Sequence, residues 1–430
     1  MKVLVIGSGG REHAVIKTLK KSSRIKQIYA APGNGGISRE AQCIPVKAID
    51  INAMTEFAFS KGIDYVVVTP DDPLALGMVD ALEEKGIRCF GPGKNAARIE
   101  SSKVFSKNLM KKYNIPTAAY ETFSESEEAI RYVKSNSVSF PLVIKADGLA
   151  LGKGVIIAED MPQAIDAVQS IMKEKKFGES GSSIVIEEFL EGHEVTVLSF
   201  TDGNVIVPMI SSMDHKRVFD GNKGLNTGGM GVIAPNPHYT EEIAELCMET
   251  IYLPTVKALQ QEGCPFKGCL YFGLMLTKNG PKVIEYNCRF GDPETQAILP
   301  LLETDLLEIM EAVTDGTLSN IDIRWSKSSC ACVVLASGGY PESYKTGMPI
   351  NGLSSDGDLI NNANHDGKKE PVIFHAGTVF KDGVFLTSGG RVLGISFVSP
   401  LLEDALTEVY KAAVTINFEG AHFRKDIGKY

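Results

Sequence analysis

Two oxygen-bearing side chains, Glu285 and Asn287, interrupt an otherwise apolar run with the composition of a β-strand. Because side chains alternate along a strand, these two share one face, together with Val283. A carboxylate and an amide oxygen are hard ligands that suit Mg²⁺ held against nucleotide phosphates. Arg289 continues the same alternation and is placed to clamp a transferring phosphoryl group. The alternative, plain polarity on an exposed edge strand, does not explain why the rest of the strand is apolar.

A glycine-rich loop joins a short apolar strand to a helix at residues 7–11, which read Gly-Ser-Gly-Gly-Arg. Glycines let a backbone approach a phosphate closely, and a helix N-terminus adds free N–H donors. A dinucleotide site requires an acidic residue at the end of the second strand, and residues 29–34 contain none. One phosphate group bound at Gly9, Gly10 and Arg11 is therefore favoured. A tight turn that binds nothing is the alternative.

A second glycine loop lies between two predicted strands at residues 145–155. A hairpin loop of this kind can fold over a triphosphate, with Lys145 touching phosphate from the strand below. It is not a Walker A loop, because Gly-x-x-x-x-Gly-Lys-[Ser/Thr] occurs nowhere in the chain. The alternative is a mobile glycine turn with solvated lysines.

A strand that ends in acidic residues is followed by a short apolar link at residues 185–194. Backbone groups of residues 188–190 could pair with the edge of an adenine, and Glu194 could accept hydrogen bonds from ribose hydroxyls. Taken alone this signal is weak, since an acidic strand end is usually a solvated turn. Two further loops, residues 213–217 and 226–231, combine mixed charge and glycine and are either parts of a cleft or plain surface loops.

The elements that must position these groups follow an α/β pattern. Short β-rich and helical segments alternate over residues 1–102, which is typical of a doubly wound parallel sheet, and one helix is predicted at 74–85. A small α+β lobe follows at about 118–190. Asn279 and Gly280 then give a strong hairpin signal, whose register puts Leu274 opposite Glu285.

The chain divides into three predicted domains: 1–102, Rossmann-like; 103–325, an ATP-binding domain that contains the small lobe; and 326–430, a mixed β domain. Its 430 residues are consistent with about three domains. The net charge of −9 argues against a nucleic-acid or membrane-surface partner, because both require a basic face. The eight scattered cysteines show no zinc spacing and, with no signal-peptide pattern, favour reduced thiols in the cytoplasm.

Taken together, the motifs resemble the ATP-grasp ligases, and within them the phosphoribosylamine–glycine ligase family. The runs that carry the resemblance stand at residues 7–14, 145–150, 226–231, 289–296 and 388–394, with a further short match at 418–420. The run Arg-Phe-Gly-Asp-Pro-Glu at residues 289–294 is highly specific for this family. The resemblance covers essentially the whole chain. It implies ATP-grasp central domains and the ATP-dependent joining of glycine to 5-phosphoribosylamine through glycyl phosphate, in purine biosynthesis.

The resemblance also implies a set of sites. ATP would contact Lys107, Lys145, Gly148, Gly152, Lys153, Glu187, Glu188, Phe189, Leu190 and Glu194. The two substrates would contact Gly9, Gly10, Arg11, Asp214, Gly229, Arg289, Asp292 and Pro293. Lys145, Asp214 and Arg289 would act in catalysis, and Glu285 and Asn287 would hold Mg²⁺ or Mn²⁺. The resemblance leaves open whether the enzyme that makes phosphoribosylamine hands it over directly in a transient contact.

Two departures from the family pattern are visible. Residues 69–74 read Thr-Pro-Asp-Asp-Pro-Leu where Gly-Pro-Glu-Ala-Pro-Leu is usual, so Asp71 stands in place of a glutamate. The acidic residue common in ATP-grasp enzymes on the strand before Glu285 is absent. Two other classes of protein are alternatives. A nicotinamide oxidoreductase is disfavoured because no acidic residue follows the second strand. A catalytically silent nucleotide-binding regulator is disfavoured because the Glu285 and Asn287 pair is present.

Overall fold

The first hundred residues of the computed structural model form an all-parallel sheet flanked by helices. The structure describes residues 1–135, 137–150, 154–360 and 370–429. The strands are β1 Lys2–Gly7, β2 Gln27–Pro32, β3 Gln42–Cys43, β4 Tyr65–Val68 and β5 Arg88–Phe90. The helices are α1 Gly10–Leu19, α2 Ile51–Lys61, α3 Asp71–Leu76, α4 Met78–Glu84 and α5 Lys94–Ser101, with a 3₁₀ turn at Ile37–Arg39. The strand order β3-β2-β1-β4-β5 places β1 at the centre, so the glycine loop that follows it opens at the carboxyl edge of the sheet.

The single helix predicted at 74–85 is wrong, because the chain forms two short helices there. Gly77 lies between them with a φ of +96°, in the left-handed region, and ends α3 while it begins α4. The apolar spacing of the segment runs across this break, which is why the pattern alone predicts one helix.

The next part of the chain forms a small lobe on a four-stranded antiparallel sheet. Its helices are α6 Lys103–Lys112, α7 Ser126–Val133 and α8 Met161–Val168, the last continued by a π-helical turn at Gln169–Lys173 and followed by a 3₁₀ turn at Gly178–Gly181. Its strands are β6 Tyr120–Phe123, β7 Leu142–Ala146, β8 Val155–Ala158 and β9 Ile184–Glu188, in the order β6-β9-β7-β8. Strand β6 has no counterpart among the predicted strands, because its four residues carry too short an alternation.

A second antiparallel sheet forms the floor beneath this lobe. The strands of this part are β10 His193–Thr201, β11 Ile206–Pro208, β12 Met213–Asp214, β13 Arg217–Phe219, β14 Lys223–Asn226, β15 Gly231–Ala234, β16 Gly268–Thr277 and β17 Gly280–Asn287. The helices are α9 Glu241–Cys247, a π-helical turn at Met248–Tyr252, α10 Leu253–Gln261, α11 Glu294–Ile298 and α12 Leu306–Asp315, with 3₁₀ turns at Leu299–Leu301 and Leu318–Asn320. The floor has the order β11-β10-β16-β17. Leu4 and Val66 of the first sheet share one hydrophobic core with Phe272 of the floor.

The predicted register of the β16–β17 hairpin is wrong by one residue. Gly273, not Leu274, lies opposite Glu285, and Leu274 pairs with Val283. The extra residue is Ile284, which forms a β-bulge. The bulge also breaks the alternation, so Val283 turns into the hydrophobic core and does not share the face of Glu285.

The last part of the chain completes a sheet that begins in the middle of the sequence. It consists of β18 Ser329–Ala336, β19 Val372–His375, β20 Thr378–Lys381, β21 Val384–Thr387, β22 Arg391–Ser399 and α13 Leu402–Ala413. The sheet order is β12-β15-β18-β22-β19. Asp214, on β12, therefore lies in the same sheet as the C-terminal strands, across the division predicted between residues 325 and 326.

The predicted fold class, a multidomain α/β protein with a parallel N-terminal sheet and a mixed C-terminal part, is confirmed. In the described ranges no helix is both long and apolar enough to pass through a bilayer.

Replacing Leu4 by alanine tests the role of the shared core. Leu4 is fully buried in the central strand, whereas Leu401 is 63% exposed at the start of α13. We expect Leu4→Ala to lower the free energy of unfolding by about 2–5 kcal/mol, because it removes buried methyl groups and leaves a cavity. Leu401→Ala should change it by less than about 0.5 kcal/mol. Urea denaturation of both variants measures the difference, and equal losses would contradict this packing.

Candidate active site

A buried carboxylate holds two lysines at the junction of the small lobe and the floor. Glu187, on β9, forms ion pairs of 3.0 Å with Lys107 on α6 and 3.0 Å with Lys145 on β7. All three side chains are buried. Lys107 Nζ also donates to Thr117 Oγ1 (2.7 Å), and Lys145 Nζ donates to the carbonyl oxygen of Ile284 (3.1 Å). Both ammonium groups are thus fixed in position by the protein.

The β-bulge in β17 contributes directly to this arrangement. Ile284, its extra residue, supplies the carbonyl that receives Lys145. Burial lowers the pKa of Lys107 to about 8, and the charge of Lys145 adds to the shift although Glu187 opposes it. Lys107 therefore titrates near neutral pH in the ligand-free protein.

The glycine loop after β7 is anchored at its start to the beginning of α6. The carboxylate of Asp147 accepts hydrogen bonds from Ser102 Oγ (3.0 Å) and from the backbone N–H of Val104 (2.8 Å). Lys103 Nζ donates to the carbonyl oxygen of Gly148 (3.1 Å). The predicted ATP contacts Gly152 and Lys153 lie outside the described residues.

The proposed adenine link begins at the edge of the lobe. Glu188 is bound to Ala119 twice, through its backbone N–H (2.9 Å) and through a carboxylate oxygen that accepts the N–H of Ala119 (3.0 Å). A hydrogen bond from Lys282 (2.8 Å) is the main reason that the pKa of Glu188 is lowered. Phe189 is 38% exposed and Leu190 is half-buried, so the link borders an open space.

Glu285 faces four cations from four different segments of the chain. Burial raises its pKa, but Lys216, Lys145, Lys103 and Arg289 together outweigh burial and hold the pKa below its usual value. Glu285 is therefore ionised. A glycine at the position opposite it leaves room for the side chain, since a Cβ there would lie 3.1 Å from Glu285 Cγ.

Arg289 is oriented by groups on both sides of its guanidinium. Its Nη2 lies 3.1 Å from Glu100 Oε1 and donates to Asn287 Oδ1 (3.2 Å). Burial lowers the pKa of Arg289, but Glu100 and Asp71 outweigh burial and raise it, so the residue that departs from the family pattern acts on this site. Within the described residues, Arg289 Nε is buried without a hydrogen-bond partner.

A second buried group without a partner lies on β12. Among the described residues, Asp214 Oδ1 has no hydrogen-bond partner. Burial, together with the nearby carboxylate of Glu294, raises the pKa of Asp214 well above its usual value. Gly229 packs against it: a Cβ on Gly229 would lie 2.6 Å from Asp214 Oδ1 and 2.4 Å from Pro293 Cδ. Three of the predicted substrate contacts therefore meet at one point.

Lys216 links the two halves of the site, and the sequence did not single it out. Its Nζ is ion-paired with Glu194 Oε1, the residue predicted to hold ribose. Burial lowers the pKa of Lys216, but Glu194, Glu285 and Asp214 outweigh burial and raise it well above its usual value. Its position in the mixed-charge loop 213–217 is the one sequence feature that could have identified Lys216 as a site residue. No sequence feature identifies Glu100 as a site residue, because it is one acidic residue in an ordinary helix.

The loop after β1 is held by hydrogen bonds from within the loop. Glu12 accepts hydrogen bonds from the backbone N–H of Gly9 and from Arg11 Nε. Arg11 also donates to the carbonyl oxygen of Phe290 (3.1 Å), and Gly10 packs against Gln296. The glycines here thus serve a capped helix start and close packing.

A cavity of about 360 Å³ opens beside this loop, between the first sheet and the C-terminal part. Asp292 forms its floor: it is bound by Gln296 Nε2 (2.9 Å) and by Arg391 Nη1 (3.3 Å). Arg391 also donates to the carbonyl oxygen of Gly228 (2.7 Å). Other residues that line the cavity are Ser8, Gly9, Asn34, Thr378, Ser388 and Gly389.

Paired lysines beneath a glycine loop and a carboxylate–amide pair on the opposing sheet are the arrangement of a nucleotide-dependent ligase. Family models agree: "Phosphoribosylglycinamide synthetase, ATP-grasp (A) domain" matches residues 101–295, with the N domain of the same family at 1–100 and the C domain at 330–430. The fold and site therefore define an ATP-grasp enzyme.

Similar proteins narrow this class. A phosphoribosylamine–glycine ligase of Caldanaerobacter subterraneus is 47% identical over 99% of both chains. The crystal structure of a phosphoribosylamine–glycine ligase from Thermotoga maritima covers 100% of both chains with a TM-score of 0.84 at 33% identity. The chain belongs to the phosphoribosylglycinamide synthetase family. The biotin carboxylase domain of a Hydrogenobacter thermophilus carboxylase, solved with MgADP, shares the fold alone (TM-score 0.75, 18% identity, 98% of this chain and 91% of that chain).

The titration of Lys107 predicts a pH dependence. Phosphate binding favours the protonated amine, so kcat/KM for ATP should fall about tenfold per pH unit above the pKa of about 8. Lys107→Arg should move this limb to higher pH, because a guanidinium stays protonated. Lys112→Arg, an exposed change on the same helix, should leave it in place. Steady-state pH profiles measure this. A wild-type profile that is flat to pH 10 would contradict the assignment.

Proposed function

We propose that this chain joins glycine to 5-phosphoribosylamine with ATP, giving glycinamide ribonucleotide, ADP and phosphate, as a step of purine biosynthesis. The glycine carboxylate attacks the γ-phosphate of ATP and forms glycyl phosphate. The amine of phosphoribosylamine then attacks the acyl carbon and displaces phosphate. Family membership supports this reaction, and so does one observation: among the described residues, a buried acceptor, Asp214 Oδ1, and a buried donor, Arg289 Nε, each lack a hydrogen-bond partner, and both groups interact electrostatically with Glu294.

Glycine is a zwitterion, and these two groups suit its two ends. Asp214 Oδ1 offers an acceptor for the ammonium group, and Arg289 Nε offers a donor for the carboxylate or the acyl phosphate. A bound ammonium would reverse the raised pKa of Asp214, because an opposite charge favours the ionised form. Gly229 and Pro293 pack closely beside Asp214, which favours a small substrate there.

ATP is proposed to lie between the small lobe and the floor. Lys107 and Lys145 hold its phosphates, and Glu187 fixes both amines by ion pairs rather than touching the nucleotide. Residues 188–190 border the adenine, and Glu194 accepts the ribose hydroxyls in exchange for Lys216. The released ammonium of Lys216 is then free to meet phosphate oxygens. Gly148, Gly152 and Lys153 are proposed to cover the phosphates.

A divalent cation, Mg²⁺ or Mn²⁺, fits the donor set of Glu285 and Asn287. Glu285 is ionised, and an amide oxygen is a suitable neutral ligand for a hard cation. No three His, Cys, Asp or Glu side chains of the described ranges converge on one metal site, so Glu285 and Asn287 would be its protein ligands. The cation would supply positive charge that offsets the negative charge developing during phosphoryl transfer.

Phosphoribosylamine is proposed to enter through the cavity beside Gly9. Its volume of about 360 Å³ is within the range of small-molecule sites. Asp292 and Arg391 line it, and Arg391 reaches the carbonyl oxygen of Gly228, next to the glycine that packs against Asp214. A phosphate at Gly9, Gly10 and Arg11 would have to displace the contacts made by Glu12.

The wider setting is also proposed. The chain works in the cytoplasm as three domains, 1–102, 103–325 and 326–430, on small-molecule substrates without nucleic acid or membrane. Because phosphoribosylamine is labile, we also propose that the enzyme that makes it passes it to this chain in a transient contact.

Removing the metal carboxylate tests the reaction. Glu285→Ala should abolish the release of phosphate from ATP that depends on glycine and phosphoribosylamine. The variant should still fold, because Glu285 lies outside the hydrophobic core, but its unfolding midpoint should fall because the cations around it lose a carboxylate. Glu303→Ala, an exposed glutamate, is the matched control. A phosphate-release assay at saturating Mg²⁺ measures the rates.

Two results would contradict these assignments. A near-normal rate of Glu285→Ala at saturating Mg²⁺ would exclude the metal site. Wild-type protein that releases no phosphate with glycine and phosphoribosylamine together, while it does so with another carboxylate or amine, would exclude the proposed substrates.

A further inference from the structure

The C-terminal segment, residues 422–428, lies along the loop that leaves the proposed glycine pocket. His422 Nε2 contacts the carbonyl oxygen of Val218 (2.8 Å), and the backbone N–H of Lys425 donates to Asp220 Oδ1 (2.8 Å). His422 is itself paired with the end of β18 through Ala336 (2.7 and 2.9 Å). The segment therefore connects the C-terminal sheet to residues 215–221.

Arg424 is the centre of these contacts. Its side chain is 1% exposed and forms a bidentate pair with Asp426 (2.8 and 2.9 Å). Its remaining nitrogen, Nη1, donates to the carbonyl oxygen of Arg217 (3.1 Å). Asp426 in turn accepts the backbone N–H of Gly221 (2.7 Å). This ion pair thus holds β13 at its first residue and also holds the turn that joins β13 to β14.

His215 receives the end of the same segment. Its Nε2 accepts the backbone N–H of Gly428 (3.1 Å), so its proton lies on Nδ1, which faces the carbonyl oxygen of Gly231 (3.3 Å). Both ring nitrogens of the neutral tautomer therefore form hydrogen bonds, one as acceptor and one as donor. Burial, helped by Arg424, lowers the pKa of His215 to about 4, so this tautomer persists at neutral pH.

The position of His215 in the sequence gives these contacts their importance. It stands between Asp214 and Lys216, which the proposed function places at the glycine amine and at the phosphates. The carbonyl of Lys216 is also held, by the N–H and hydroxyl of Thr227 (both 2.8 Å). No hydrogen bond of residues 422–428 among the described residues reaches a residue placed at the substrates, so an effect on catalysis must pass through residues 214–216 or, because Ile427 packs against Gly231, through residues 229–231.

We propose that Arg424 is a positioning residue of the ligase, and that residues 422–428 set the placement of Asp214 and Lys216. This inference rests on the proposed function for the roles of those two residues. The buried Arg424–Asp426 pair fixes the hairpin, and Gly428 fixes the ring of His215. Asp214 and Lys216 flank His215 in the sequence, so a fixed ring fixes the backbone that carries both side chains.

Hydrogen exchange and kinetics of Arg424→Lys test this. A lysine keeps the charge but cannot make the bidentate pair, so amide exchange at residues 214–221 should accelerate. KM for glycine and Kd for ATP should both rise about threefold to tenfold, which is the effect of one or two lost hydrogen bonds, because Asp214 and Lys216 are displaced together. Arg324→Lys, an exposed arginine, is the matched control.

A second variant keeps the test decisive if Arg424→Lys fails to fold. Ending the chain after Ile427 removes the N–H that binds His215 and leaves the ion pair in place; it should give the same KM shift. Faster amide hydrogen exchange with unchanged KM for glycine would overturn the proposal, because residues 422–428 would then stabilise the fold without affecting substrate binding. Hydrogen exchange does not depend on which substrates are used, so failure of the proposed function would appear only in the kinetics.

Discussion

Buried charge in the cleft is the constraint on which the other features depend. A polyphosphate needs several cations in one place, and cations left unpaired in a dry cleft are costly because desolvation disfavours them. The chain meets this by giving its cations carboxylate partners from different elements. Glu187 serves Lys107 and Lys145, Glu194 serves Lys216, and the other pairing is Glu100 with Arg289.

Several features of the fold follow from this pairing. The bulge in β17 supplies the carbonyl of Ile284 to Lys145, and Gly273 leaves space for Glu285. The parallel sheet contributes Glu100, which reaches Arg289 from α5. The C-terminal sheet takes in β12, which carries Asp214. Elements that are distant in sequence thus share one site, and the division of the chain into domains does not divide the cleft.

Much of this could be predicted from the sequence, because strand alternation and glycine-rich turns are local signals. The parallel sheet, the β16–β17 hairpin and the shared face of Glu285 and Asn287 are of this kind. The bulge at Ile284 and the break at Gly77 were missed, since each lies inside a run of apolar residues that shows no interruption in the sequence. The partners of the site residues were missed for a different reason.

Those partners are set by tertiary contacts that no local pattern encodes. Glu187 appeared as an acid at the end of a strand, and Lys216 as one charge in a polar loop, but the fold buries them against partners far away in sequence. The same holds for Glu12, whose carboxylate closes the glycine loop that the sequence offers to a phosphate. Residue type and spacing therefore identify the reaction more readily than they identify the buried partners that fix the reacting side chains in position.

The most direct test of this account is the affinity of Glu187→Gln for ATP, measured by calorimetry at pH 7.5 beside the wild type and the exposed change Glu121→Gln. The glutamine keeps the shape of the side chain and removes one negative charge. If Glu187 fixes and charges the two lysines, they will repel each other and one will lose its proton, so Kd for ATP should rise. If the cleft attracts ATP by net charge alone, Kd should fall, and that result would contradict the account.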